Sequence, residues 1–97
     1  MKLEIIDLHC LNATCDDYEN IQSILDDVRK AVHFPVEKEA VTQSVRKLHD
    51  QKLIDAFYYD APKTSFVITN PGESQFEETW FSISEAGRRV LDEIWVD

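Results

Sequence analysis

The chain is poor in glycine, proline, cysteine and positive charge, and it has no long hydrophobic run. Two glycines and three prolines in 97 residues exclude collagen-like and low-complexity classes. With 43% hydrophobic and 30% charged residues, a disordered chain is excluded as well. No stretch reaches the roughly 20 apolar residues of a membrane-spanning helix. The only glycines, Gly72 and Gly87, cannot build a phosphate-cradling loop. Cys10 and Cys15 would close a trivial loop if bonded, so reduced thiols are expected. Acidic residues interrupt the apolar positions of residues 1–8, which argues against a secretory signal and predicts a cytoplasmic protein. Ten Lys+Arg stand against 19 Asp+Glu, a net charge of -9 that repels phosphate backbones and anionic lipid at long range.

What remains is an ordinary globular composition sufficient for one core, read as a single domain over residues 1–97. Residues 3–13 suit a short helix through Leu3, Ile6 and Cys10, with a strand through Leu3 and Ile5 as the competing assignment. Asp16 followed by Glu19 suggests a capping box and a second helix from Asp17 or Tyr18. Along it Tyr18, Ile21, Ile24, Leu25, Val28 and Val32 form an apolar stripe. His33-Phe34-Pro35 ends that helix and opens a third, over residues 36–51, with Val41, Val45 and Leu48 inward. Beyond Ile54 the character changes to strand: residues 56–59, a turn at 61–64, a strand at 65–69, a second turn at 70–74, and a strand at 79–83. Ser84 caps a final helix whose apolar side is Val90, Leu91 and Ile94.

Val41-Thr42-Gln43-Ser44-Val45-Arg46-Lys47-Leu48 and the residues up to Ile54 look like a recognition helix running into a first wing strand. Trp80-Phe81-Ser82-Ile83-Ser84-Glu85 looks like a last wing strand entering the following helix. In these phrases and in element order the chain resembles the winged helix-turn-helix superfamily. The resemblance implies an α+β winged helix: a three-helix bundle, a small antiparallel wing sheet and a C-terminal helix. Where that pattern often has a glycine after the recognition helix, this chain has Gln51-Lys52, which predicts another cap or a strained residue.

Function is read from charge and aromatics. Residues 36–53 hold four basic and three acidic groups, whereas residues 1–35, 54–83 and 84–97 are each net acidic. Thr42, Gln43, Arg46 and Lys47 lie on the side of that helix away from its apolar stripe and are the candidates for DNA contact. Glu37 and Glu39 in the first turn oppose phosphate there. Tyr58, Trp80 and Trp95 are the candidate protein-interface residues, because alternation along the strands leaves aromatic groups off the core side. His9, Cys10, Cys15 and Asp16 lack metal-ligand spacing, and His33 and His49 have no fixed relation to them, so no metal or other cofactor is expected. No catalytic constellation or small-molecule substrate site stands out. The reading is a non-enzymatic interaction module in a regulatory context, binding a protein partner or a second copy in a homodimer. The alternative is a small DNA-binding transcription regulator using residues 36–51 as recognition helix.

Overall fold

Four helices and three strands follow one another in the computed structural model, which describes residues 3–71 and 73–94. Helices α1 (Ile5–Ala13), α2 (Ile21–Ala31) and α3 (Lys38–Asp50) pack together. Strands β1 (Ile54–Asp60), β2 (Ser65–Thr69) and β3 (Trp80–Ile83) form an antiparallel sheet in the order β2-β1-β3, and α4 (Glu85–Ile94) follows β3. A 3-10 helical segment, Glu73–Glu78, joins β2 to β3. The fold is therefore α+β.

The helical stripes behave as their spacing predicts. Ile21, Ile24, Leu25 and Val28 of α2 and Val41, Val45 and Leu48 of α3 are buried, and they meet Cys10 and Leu11 of α1. Phe81 lies fully buried where the sheet joins this core. Leu91 of α4 is also buried, but Ile94, expected beside it, is 54% exposed at the last residue of the helix.

Three helix starts differ from expectation, α3 beginning at Lys38 rather than Val36 with Glu37 as its N-cap. α1 begins at Ile5 rather than Leu3, and no strand runs through Leu3 and Ile5. α2 begins at Ile21, where Asn20 Oδ1 accepts the Ser23 N–H at 2.8 Å, and not at Asp17 or Tyr18 after an Asp16 cap. The cause lies far along the chain. Glu19 pairs antiparallel with Phe81: the Glu19 N–H donates to the Phe81 carbonyl at 2.8 Å, and the Phe81 N–H donates to Glu19 at 2.7 Å. A fully buried residue requires partners for its backbone, and the segment before α2 supplies them.

The end of α3 carries the strained residue expected without glycine. Lys52 has φ 62°. Its N–H donates to the His49 carbonyl at 3.0 Å and that of Leu53 to Leu48 at 2.9 Å, the double closure of a left-handed helix end. Ser84 joins this corner to α4, its hydroxyl donating to the Lys52 carbonyl at 2.8 Å and accepting the Gly87 N–H at 3.1 Å. Gly87 is needed there, since a Cβ would stand 2.0 Å from the Leu53 carbonyl oxygen.

Candidate interaction surface

Strand register decides which aromatics share a face. Phe57 lies opposite Ile68 on one side and Trp80 on the other, and Tyr59 lies opposite Phe66. Phe57, Tyr59, Phe66, Ile68 and Trp80 therefore share the face turned away from the core, whereas Ile54, Ala56, Tyr58 and Phe81 share the core side. Tyr18, released from α2, lies across the outer face. Its ring stacks on Phe66 at 4.0 Å between centroids and meets Phe57 edge-on at 4.9 Å. Phe66 also meets Tyr59 at 5.3 Å and Trp80 at 5.6 Å. Tyr59 remains 49% and Ile68 65% exposed.

The expected pairing of Tyr58 with Trp80 in one patch is corrected by this register. Tyr58 points to the core side beyond the end of the core and lines a shallow hollow of about 200 Å³ with Thr69, Pro71, Glu78 and Thr79. Trp80 belongs to the outer cluster, and Trp95 lies outside the described residues. Tyr18, Phe57, Tyr59 and Phe66 were missed as members of one cluster. The alternation of Phe57 and Tyr59 was the available signal, but Tyr18 read as a helical core position.

On α3 the four candidate DNA contacts are engaged within the protein. Thr42 Oγ1 donates to the Lys38 carbonyl at 3.0 Å, and Gln43 Nε2 donates to Glu39 at 3.1 Å. The Arg46 guanidinium lies 5.2 Å from the centroid of Phe76, and Lys47 Nζ pairs with Asp7 Oδ2 at 2.7 Å. Lys38 pairs with Glu77 at 2.9 Å. Asp7 also accepts the Ser44 hydroxyl at 2.5 Å and the Glu4 N–H at 2.8 Å, beside a cleft of about 310 Å³ between α1 and α3. Burial pushes this carboxyl up. The hydrogen bonds from Lys47, Ser44 and Glu4, with the Lys47 charge, outweigh burial and hold it below its ordinary value.

Cys10 is fully buried and its thiol is pushed up to about 12, by burial first and the Asp7 charge second, against a lowering hydrogen bond with Ser44. Half-buried Cys15 accepts a contact from Arg88 at 3.3 Å. Among the described residues no three His, Cys, Asp or Glu side chains converge as metal ligands would, and no helix is long and apolar enough to cross a membrane. No family model, curated protein or solved structure matches the chain.

Proposed function

We propose that the chain is a non-enzymatic winged-helix interaction module, and that it binds protein through the outer face of its sheet. The succession of three helices, an antiparallel sheet and a closing helix supports the winged-helix reading. One observation carries the functional reading: five aromatic rings, Tyr18, Phe57, Tyr59, Phe66 and Trp80, gather on the solvent side of the sheet with the exposed Ile68 beside them. Grouped aromatics of this kind give large contact area at small entropic cost and are enriched at protein interfaces. Asp55 on the same face and Asp60 at the end of β1 add carboxylates to its border.

The test compares assembly and partner capture for the wild type, Tyr59→Ser and Trp80→Ser, each checked for native circular dichroism. Tyr59 is half exposed, so its removal leaves the core untouched. Both variants are expected to lose the captured protein. Retention of every partner in both removes the outer face from the function.

The second reading, a DNA-binding regulator inserting residues 36–51 into the major groove, has one observation in its favour: residues 36–53 are not net acidic. Lys38 and Lys47 already face carboxylates, which reduces the charge available for releasing counterions from DNA. Labelled random-sequence duplex DNA, titrated at about 20 mM and about 150 mM salt, is expected to show no salt-sensitive anisotropy change. Binding that disappears in the Arg46→Ala/Lys47→Ala variant would establish the DNA reading instead.

A further inference from the structure

We propose that the free edge of β2 pairs with β2 of a second copy, antiparallel and centred on Val67, so that two three-stranded sheets become one. The inference rests on the reading of the sheet as the interacting part and names its occupant.

The two edges of the sheet are treated differently. The β3 edge is covered by the reciprocal Glu19–Phe81 backbone bonds, whereas no strand among the described residues pairs with the outer side of β2. Proteins guard an open edge with lysine, proline, an inward charge or a bulge. β2 reads Ser65-Phe66-Val67-Ile68-Thr69 and carries none of these residue types. It presents unguarded N–H and C=O groups from a segment with strong strand preference.

The electrostatic setting is favourable to a second copy at this edge. Residues 61–72 contain Lys63 and no Asp or Glu, the longest acid-free stretch in a sequence with 19 acidic residues. Two chains of net charge -9 repel one another least where their edges are neutral.

The strand is also complementary to itself. An antiparallel register centred on Val67 overlaps all five residues, sets Val67 against Val67 of the second copy, and sets Phe66 against Ile68 twice by symmetry. Aromatic and β-branched residues make favourable cross-strand pairs. Ile68 is the most exposed large hydrophobic residue among those described, at 65%, and this register covers it with a phenyl ring. Phe66 and Ile68 already belong to the outer face, so that face continues unbroken across the two-fold axis. A pair of five-residue strands is smaller than a standard interface of about 1,600 Å², which sets the equilibrium in the micromolar range or weaker.

Sedimentation equilibrium from about 5 µM to about 1 mM tests the pairing. The mass is expected to rise from 11.3 kDa towards twice that value, while amide exchange across β2 slows with concentration. Ile68→Lys, at an exposed position, is expected to keep the native circular dichroism and weaken association at least about tenfold. Trp80→Ser, away from the edge, is expected to leave the dimer intact. A wild type of single-chain mass at every concentration overturns the pairing, and so does a dimer unaffected by Ile68→Lys. Assembly lost in Trp80→Ser but kept in Ile68→Lys would overturn the edge while supporting the aromatic face; a monomer whose partner capture depends on Tyr59 would do the same.

Discussion

Asp7 answers three donors with one carboxylate. It closes the first turn of α1 through the Glu4 N–H and ties α1 to α3 through Ser44 and Lys47. Because its folded value lies below the ordinary 3.8, the unfolded chain takes up the proton first as acid is added. The stability it contributes is complete above that ordinary value and is lost as pH falls through the lower folded one. Asp7→Asn should therefore be less stable than the wild type at pH 7, by about 1–3 kcal/mol, with the difference shrinking as pH drops below about 4. Urea titrations of both proteins at a series of pH values measure it. A difference independent of pH would mean that the ionised carboxylate is not what holds the helices.

The corner between α3, β1 and α4 separates two backbone requirements. Lys52 adopts a left-handed conformation that glycine enters freely, so Lys52→Gly should stabilise the chain by about 0.5–1 kcal/mol. Gly87 lies in a helix where alanine is ordinarily preferred, yet Gly87→Ala should destabilise by about 1–3 kcal/mol because the Leu53 carbonyl occupies the space of a Cβ. Opposite signs in thermal or urea unfolding check the pair. At this scale much was legible beforehand. The stripes of α2 and α3, the bounds of β2, the Ser84 cap and the non-glycine end of α3 all follow from residues within a few positions of one another. Tyr18 and Glu19 read as helix because their own neighbours favour it, and only the distant backbone of Phe81 draws them into extended pairing. The candidate site was less legible for the same reason. Alternation put Tyr58 and Phe57 on opposite faces, but the register was needed to assign Trp80 to the side of Phe57. The Asp7–Ser44 contact spans 37 positions and leaves no local pattern.

For the molecule as a whole, the net charge of -9 acts against compactness. The surface pairs Lys38–Glu77 and Arg89–Glu85 are exposed and offset little of it. Screening the excess should raise the melting temperature by a few degrees between about 20 mM and about 500 mM sodium chloride. Thermal melts across that range decide it, and a fall would mean that exposed pairs outweigh the general repulsion. The Glu19–Phe81 bridge occupies one edge of the sheet as well as setting the start of α2. A sheet whose one side is already occupied by its own chain can accept a neighbouring strand only once. The proposed strand addition at β2 would thus terminate at two molecules, confining a segment that would otherwise invite fibrous growth to a closed pair.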